Sequence, residues 1–205
     1  MTASALLFDR WASVYDSQPN PLLLLEERTL PALLPPIPGA SVLDVGCGTG
    51  RWLKLLERRN PASLTGTDPS PAMLARARAK LDATTLLQPG DASNLPAASA
   101  TLDLVLASFV LSYLPDLTTF ARESLRVLRP GGHLQVSDMV WTRPQPEALK
   151  GDMEAWAGCV AGAMLETDYL AAITAAGFVN VTSDATEYPD RNGLASASVV
   201  AVKPA

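Results

Sequence analysis

A turn with three alternate glycines is the feature of this sequence that most directly indicates ligand chemistry. It reads Asp44-Val45-Gly46-Cys47-Gly48-Thr49-Gly50, follows an apolar run, and precedes a helical pattern that begins near Arg51. Glycine permits a sharp backbone turn and the close approach of a ligand. Ligands of open α/β sheets bind at the carboxyl ends of strands, where this turn is expected to lie. The pattern predicts a small-molecule site, although a tight strand–helix turn without a ligand has the same residues.

A carboxylate follows the second predicted strand, in the sequence Gly66-Thr67-Asp68-Pro69-Ser70. At such a position Asp68 can accept two hydrogen bonds from the two hydroxyls of a ribose. Taken alone, Asp68 fits a helix cap equally well. Together with the glycine turn, it favours a nucleoside ligand.

Two details bear on the kind of nucleoside. The glycines are spaced G-x-G-x-G, whereas the pyrophosphate-binding pattern of dinucleotide folds is G-x-G-x-x-G. A further acidic segment, Gly90-Asp91-Ala92, follows the third predicted strand, and Asp91 can accept a hydrogen bond from an adenine amino group. Both details favour S-adenosylmethionine over a nicotinamide dinucleotide, and a nicotinamide-dependent oxidoreductase is the alternative.

The ordered set of motifs resembles the class I S-adenosylmethionine-dependent methyltransferases over about residues 8 to 203. The set consists of the glycine turn, Asp68, Gly90-Asp91, Leu102-Asp103 and the run from Leu128 to Gly132. The resemblance implies S-adenosylmethionine as the methyl donor and S-adenosylhomocysteine as the product, without a metal ion. The residues expected to bind the cofactor are Tyr15, Asp44, Gly46, Gly48, Gly50, Asp68, Pro69, Met73, Asp91, Ala92, Ser108 and Phe109.

The resemblance also implies what these residues contact. The three glycines are expected to line the methionine moiety and the ribose. Asp68 is expected to hold the ribose hydroxyls, and Asp91 with Ala92 to meet the adenine. Ser108 and Phe109 are expected to flank the methyl donor and the acceptor.

Aromatic and apolar members of this set have a second interpretation. Tyr15 is expected to close over the cofactor and Met73 to lie near the adenine ring, but core packing explains Tyr15, Met73 and Phe109 about equally well. The catalytic residues are unassigned, since the only histidine, His133, starts a predicted strand at the edge opposite the site. Three polar residues lie nearer the acceptor side without a clear role as a base: Tyr113, Asp116 and Asp138. A protein that binds the cofactor without turnover is therefore a further alternative.

The C-terminal part of the sequence bears on the acceptor. The segment from Trp156 to Met164, with Tyr169-Leu170 and Ala176-Gly177-Phe178, resembles arsenite methyltransferases. That resemblance places a metalloid-binding thiol at Cys159, but the only other cysteine is Cys47, inside the glycine turn, and two thiols cannot form a three-thiolate site. The leading prediction is methyl transfer to a small molecule, with arsenite as the alternative acceptor.

Alternating strand-like and helical patterns define the elements that position these residues. Candidate strands are Ser41–Val45, Ser63–Thr67, Thr84–Leu87, Leu102–Ala107 and His133–Ser137, with helical patterns at Arg51–Arg59, Pro71–Leu81 and Leu117–Leu128. Two final strand-like runs, Phe178–Ser183 and Ser196–Val202, lack a helix between them. The fold class predicted is α/β, a doubly wound Rossmann-like sheet of seven strands with helices on both faces. It is mostly parallel and ends in an antiparallel edge hairpin.

Domain organisation and partners follow from the same patterns and from composition. Residues 1–38 form a predicted helical cap over the active site, and residues 39–205 form the cofactor-binding domain. The 205 residues carry a net charge of −5 without a basic face, which argues against a nucleic-acid partner. No apolar run approaches the ~18 residues of a membrane span. The expected location is cytoplasmic, and the oligomeric state is not predicted.

Overall fold

The computed structural model describes residues 3–17, 20–147, 160, 162–189 and 191–205. The strands are β1 (Ser41–Val45), β2 (Ser63–Asp68), β3 (Leu86–Pro89), β4 (Leu102–Ser108), β5 (Leu128–Trp141), β6 (Val179–Glu187) and β7 (Leu194–Val202). The helices are α1 (Ala3–Trp11), α2 (Pro21–Thr29), α3 (Arg51–Glu57), α4 (Pro71–Arg78), α5 (Leu117–Val127) and α6 (Glu166–Ala175). Short 3-10 turns lie at Tyr15–Ser17, Leu30–Ala32 and Leu111–Tyr113.

The seven strands form one sheet in the order β3-β2-β1-β4-β5-β7-β6. The pairs from β3 to β5 are parallel, and β7 is antiparallel to both β5 and β6. This confirms the predicted doubly wound sheet with an antiparallel C-terminal hairpin. Because the chain winds outwards in both directions from β1 and β4, the carboxyl ends of these two strands flank the switch point where ligands bind in such folds.

Side chains of the central strands alternate between two hydrophobic layers. Val42, Leu104 and Leu106 belong to the layer under α3 and α4, whereas Leu43 and Val105 belong to the layer under α5 and α6. Alternate side chains of a strand point to opposite faces, so a sheet covered on both faces needs apolar residues at nearly every central position. The sheet is therefore held rigidly, and the loops at its carboxyl edge have a fixed base.

Helix caps set the direction of two loops at that edge. Ser70 caps α4, since its hydroxyl oxygen accepts a hydrogen bond from Met73 N at 3.1 Å, and Pro71 occupies the first turn. Asp116 caps α5 by accepting from Thr118 N at 2.9 Å and Thr119 N at 3.3 Å. These caps fix where α4 and α5 begin, so the loops that follow β2 and β4 end close to the sheet.

Six of the seven predicted strands have different bounds in the structure, and two of them show why. The third strand lies two residues later than predicted, at Leu86–Pro89. The fifth begins at Leu128 instead of His133, because Gly131 N donates to Lys203 O and Lys203 N donates to Gly132 O, each at 2.9 Å. Residues 131 and 132, which precede the predicted fifth strand, are thus drawn into the ladder by a segment more than 70 residues away in the chain.

Candidate functional site

A cavity of about 230 Å³ opens at the carboxyl ends of the parallel strands. The predicted site residues that line it are Tyr15, Gly46, Gly48, Asp68, Pro69, Met73, Asp91, Ala92, Ser108 and Phe109. A smaller compartment of about 30 Å³ shares Tyr15 and Gly46 with it and reaches Asp44. The structure therefore brings together eleven of the twelve predicted residues, counting ten in the main cavity and Asp44 in the compartment, and leaves Gly50 outside both.

The glycine turn adopts backbone angles that favour glycine. Gly46, Gly48 and Gly50 have φ values of +66°, +53° and +82°. A Cβ atom on Gly48 would have no heavy atom within 4 Å, so its Cα faces open space, whereas a Cβ on Gly46 would lie 2.4 Å from Val110 Cγ2. A Cβ on Gly50 would lie 2.9 Å from Leu81 Cδ1, beside α4. Gly48 thus leaves room for a ligand, and Gly50 makes room for helix packing.

Asp68 ends β2 with its carboxylate held between two backbone amides. Gly48 N donates to Oδ2 at 2.9 Å and Ser70 N donates to Oδ1 at 2.8 Å. Asp68 is only 7% exposed, and burial raises its pKa, while these two hydrogen bonds act in the opposite direction. The carboxylate therefore links the glycine turn to the start of α4 and borders the cavity.

The loop after β3 forms the adjacent wall. Asp91 Oδ1 accepts from Ser93 N at 2.8 Å, and hydrogen bonds from Ser93 lower the pKa of Asp91. Ala92 and Met73 are buried beside it, with exposures of 5% and 1%. This wall presents one ionised carboxylate next to an apolar surface, which suits a flat heterocycle with an amino group.

The end of β4 forms the opposite wall. Phe109 has a φ of +53°, which is rare for a non-glycine residue, and its backbone N donates to Ser137 O at 2.8 Å. Strained backbone of this kind is concentrated at ligand sites. Next in the chain, Val110 and the turn that contains Tyr113 complete this wall.

A buried ionic network lies behind the glycine turn. Glu26 of α2 is 2% exposed and accepts hydrogen bonds from the Arg51 guanidinium, from Trp52 Nε1 at 3.2 Å and from Ser108 Oγ at 2.6 Å. Burial opposes the charge on Arg51, but the adjacent Glu26 carboxylate raises the Arg51 pKa. Burial also raises the pKa of Asp44 well above its usual range, although nearby Arg51 acts against this shift.

Two further carboxylates of the N-terminal segment bind loops of the site. Asp9 of α1 accepts from Ser70 Oγ at 2.5 Å and Ala72 N at 3.2 Å, at the start of α4. Asp16 accepts from Thr49 Oγ1 at 2.7 Å and from Lys80 Nζ at 2.8 Å. Burial works against ionisation of Asp16, but the bonds from Lys80 and Thr49 lower its pKa. With Glu26, three acidic residues connect the first 30 residues to the loops around the cavity.

Sequence reasoning missed this network and much of the acceptor-side wall. The contacts of Glu26 join residues that are far apart in the sequence, from 25 positions for Arg51 to 82 positions for Ser108. The only local signal for Glu26 is an acidic residue within an amphipathic helix. The missed wall residues are Phe8, Val110, Leu114, Pro115 and Thr119.

The other polar candidates have distinct surroundings. Asp138 is 1% exposed and lies behind the wall, where its carboxylate accepts from Leu111 N at 2.7 Å and Ser112 Oγ at 3.1 Å. Burial raises the pKa of Asp138 to about 6. Tyr113 and Asp116 line the cavity itself. His133 borders a groove with Asp103 and Arg129 at the opposite end of the strands, as the sequence predicted.

Cys47 does not line the main cavity, although it borders the smaller compartment next to it. Cys47 is buried, and its Sγ points towards β2, where a Cβ on Gly66 would lie only 2.8 Å from it. Burial raises the pKa of the Cys47 thiol. Cys159 lies outside the described residues. Within the described part of the chain, there is no group of three or more His, Cys, Asp or Glu side chains arranged to hold a metal ion.

Comparison with known proteins identifies the family. Residues 43–136 match the family described as a methyltransferase domain. An arsenite methyltransferase from Halobacterium salinarum is 34% identical over 186 residues, covering 82% of this chain and 48% of that protein. A trans-aconitate 2-methyltransferase from Azoarcus sp. is 37% identical over 138 residues, covering 66% of this chain and 54% of that protein. Residues 43–136 therefore form a methyltransferase domain, and the relatives support S-adenosylmethionine over a nicotinamide dinucleotide as the cofactor.

A solved structure has the same fold over nearly its whole length. It is a chain of the complex between the Haloferax volcanii Trm112 methyltransferase activator and a methyltransferase, with a TM-score of 0.73 and 23% identity. The superposition covers 97% of this chain and 98% of that one. By contrast, the chain spans about half the length of the curated relatives reported above. Among the described helices, none combines the length and the apolar character required to traverse a bilayer.

Proposed function

We propose that this chain catalyses methyl transfer from S-adenosylmethionine to a small organic molecule. The observation that best supports this is the cavity at the carboxyl ends of β1, β2 and β4, lined by a glycine turn, Asp68 and Asp91. The open space in front of Gly48 is where a ligand can approach the backbone closely. The donor group supplies a methyl on a sulfonium centre, which is already activated for transfer.

In this proposal the cofactor residues divide between four parts of the ligand. Asp68, with Pro69 beside it, holds the ribose hydroxyls, and Asp91 with Ala92 and Met73 surrounds the adenine. The glycine turn, Asp44 and Tyr15 enclose the amino-acid portion. Ser108 and Phe109 border the methyl group, so the acceptor enters from their side.

The chain then has mainly to position the acceptor in line with the methyl group and to exclude water. Phe109, Val110 and Tyr113 form a wall whose backbone is fixed by Ser137 and Asp138. An amine or thiolate acceptor needs no strong base, whereas a hydroxyl acceptor needs one nearby. Among the described lining residues, Tyr113 and Asp116 are the ionisable groups on the acceptor side.

We also propose that residues 1–38 act as a cap over the site. Phe8 and Tyr15 line the cavity, and Asp9, Asp16 and Glu26 bind three different loops around it. Replacing Asp16 with Asn weakens one of these attachments without touching the cavity wall. If the segment is a cap, this change raises the dissociation constant of S-adenosylhomocysteine, and faster amide hydrogen exchange appears over residues 3–17.

Arsenite is the second candidate acceptor. It is favoured by the 34% identity to the Halobacterium salinarum arsenite methyltransferase. The position of Cys47, buried and directed at β2, does not favour it, which leaves Cys159 as the thiol to examine. Release of S-adenosylhomocysteine on adding arsenite and glutathione, lost in Cys159→Ser but kept in Cys47→Ser, supports this candidate. No arsenite-dependent release, with cofactor binding intact, removes it.

Calorimetric titration tests the proposed function itself. S-adenosylhomocysteine should bind and NAD should not, and Asp68→Ala should weaken binding by about 1.5–3 kcal/mol, the value of hydrogen bonds to a charged group. Unchanged affinity in Asp68→Ala contradicts the ribose assignment. Binding without methyl transfer to any of a broad acceptor panel favours a protein that holds the cofactor without turnover.

A further inference from the structure

The main cavity and the smaller compartment meet at a junction of five residues. The residues that line both are Tyr15, Gly46, Gly48, Ser108 and Phe109. On one side of this junction the main cavity extends to Asp68 and Asp91, and on the other side the compartment extends to Asp44. In the proposed function the nucleoside occupies the first side and the amino-acid portion the second. The sulfur atom that connects these two portions, and the methyl group on it, then lie at the junction beside Ser108.

Two charged side chains determine how the Ser108 hydroxyl can form hydrogen bonds. Its Oγ donates to Glu26 Oε1 at 2.6 Å and accepts from Arg51 Nη2 at 3.1 Å. These directions are fixed by chemistry, because a guanidinium only donates, and a carboxylate held in an ion pair with that guanidinium only accepts. The single hydrogen of the Ser108 hydroxyl is therefore committed to Glu26.

A lone pair is what the Ser108 hydroxyl can still offer to a ligand. A hydroxyl oxygen has two lone pairs, and Arg51 occupies one of them. Glu26 is 2% exposed and is itself held by Arg51 and by Trp52 Nε1, so it keeps the hydroxyl in this orientation. At the junction, Ser108 is therefore a hydrogen-bond acceptor and not a donor.

We propose that Ser108 Oγ accepts a hydrogen bond from the N–H group of an amine acceptor and so directs the nitrogen lone pair at the methyl group. This rests on the proposed methyl transfer at the same site. A thiolate, or an arsenic atom bound by thiolates, carries no hydrogen that could be donated to this oxygen. The contact therefore favours an amine over arsenite as the methyl acceptor.

The same network distinguishes an amine from a hydroxyl compound. A hydroxyl nucleophile must give its proton to a base during transfer. If Ser108 passed that proton on to Glu26, the ion pair with Arg51 would be lost and a largely buried guanidinium would remain. An amine avoids this step. Its lone pair forms the bond to the methyl carbon, the electron pair of the carbon–sulfur bond stays on sulfur, and the surplus proton on nitrogen is released to water.

Three ligands of one shape series test this role of Ser108. Sinefungin carries a protonated amine on carbon in place of the methyl on sulfur, so it places N–H donors at the transfer point. S-adenosylmethionine has the same positive charge there without an N–H group, and S-adenosylhomocysteine has neither. The three dissociation constants are measured by calorimetry on the full chain, without a methyl acceptor.

Ser108→Ala removes the proposed hydrogen-bond acceptor. We expect it to raise the dissociation constant of sinefungin about tenfold more than those of the other two ligands, because a hydrogen bond from a charged donor is lost. Ser108→Cys nearly keeps the volume of the side chain but replaces the oxygen with a weakly accepting sulfur, so the same selective loss is expected.

Ser93→Ala is the matched control. Ser93 also lines the cavity, and its hydroxyl also donates to a carboxylate, that of Asp91 in the loop after β3. Because this loop faces the adenine in the proposed function, its loss should change the three dissociation constants by the same factor.

The outcomes separate this inference from the proposed function. If Ser108→Ala and Ser108→Cys weaken all three ligands equally, or leave sinefungin unaffected, Ser108 does not accept a hydrogen bond at the transfer point. The inference is then wrong, while binding of S-adenosylhomocysteine still supports the proposed function. If neither S-adenosylmethionine nor S-adenosylhomocysteine binds to the wild-type chain, the proposed function is wrong and the inference falls with it.

Discussion

Replacement of Glu26 is the sharpest test of how the N-terminal segment is attached to the site. In Glu26→Gln, the side chain keeps its shape and one acceptor oxygen, but the negative charge next to Arg51 is lost. The guanidinium of Arg51 stays largely buried, with 20% of its side chain exposed. It keeps an ion pair with Glu27, whose Oε1 lies 3.3 Å from its Nη1, and a hydrogen bond to Ser108 Oγ at 3.1 Å. Trp52 Nε1 and Ser108 Oγ then compete for the single remaining acceptor oxygen.

The expected loss follows from these contacts. Breaking a buried ion pair by removing one partner costs about 3–5 kcal/mol, because an uncompensated charge is left behind. Partial exposure of Arg51 and its remaining contact with Glu27 favour the lower end of this range. We therefore expect the free energy of unfolding to fall by about 3 kcal/mol. Glu27→Gln, which removes the more exposed partner, should cost only about 0.5 kcal/mol.

Urea unfolding followed by tryptophan fluorescence measures both values, since Trp52 lies inside the network. Adding Arg51→Met to Glu26→Gln removes both charges and should cost less than the sum of the two single changes by more than about 1 kcal/mol. If Glu26→Gln and Glu27→Gln are equally mild, or the double change is additive, the buried pair does not hold α2 on the domain.

Four further changes probe the turn, the wall and the thiol. Gly48→Ala should lower the free energy of unfolding by about 1 kcal/mol because of its positive φ, and should abolish the binding of S-adenosylhomocysteine measured by calorimetry. Gly46→Ala should lower the free energy of unfolding, measured in urea, by about 3 kcal/mol because of the clash with Val110. Burial raises the pKa of Asp138 to about 6. Ionisation of Asp138 therefore destabilises the folded state relative to the unfolded one. The free energy of unfolding should fall by about 2.4 kcal/mol relative to Asp138→Asn as the pH rises from 4 to 7. Cys47→Ala should cost about 1 kcal/mol and leave the calorimetric affinity for S-adenosylhomocysteine unchanged.

Each of these has a result that contradicts it. Normal cofactor affinity in Gly48→Ala means that the ligand does not pass in front of that residue. A stability difference between the wild type and Asp138→Asn that is constant with pH means that Asp138 ionises as readily in the folded chain as in the unfolded one. A Cys47→Ala variant that loses cofactor affinity means that the thiol faces the site after all.

The sequence predicted the sheet well because its central strands have local signatures. Ser41–Val45 is apolar at nearly every position and ends in glycines, which indicates a strand buried on both faces and followed by a turn. The ladder at Gly131 was not predictable in this way, since it depends on pairing with Lys203. Local pattern establishes a strand, but its length is decided by a neighbour that is distant in the chain.

Parts of the site were predictable because a ligand restricts the residue type, and other parts only through the resemblance to methyltransferases. Gly46 and Gly48 stand out because ligand approach restricts the choice to glycine, yet the same pattern does not separate them from Gly50, whose neighbour is α4. Glu26 could not be found, because nothing within its own helix distinguishes an acidic residue that will be buried from one that faces water. Only tertiary contacts with Arg51 and Ser108 make that difference.

The attachment of the N-terminal segment also constrains the order in which the chain can fold. Asp9, Asp16 and Glu26 bind partners 61, 64 and 82 residues later in the chain. A protein is synthesised from its N-terminus, so Glu26 of α2 leaves the ribosome well before Ser108 of β4 exists to bind it. The attachments of this segment are thus completed only after the residues that end β4 have been made.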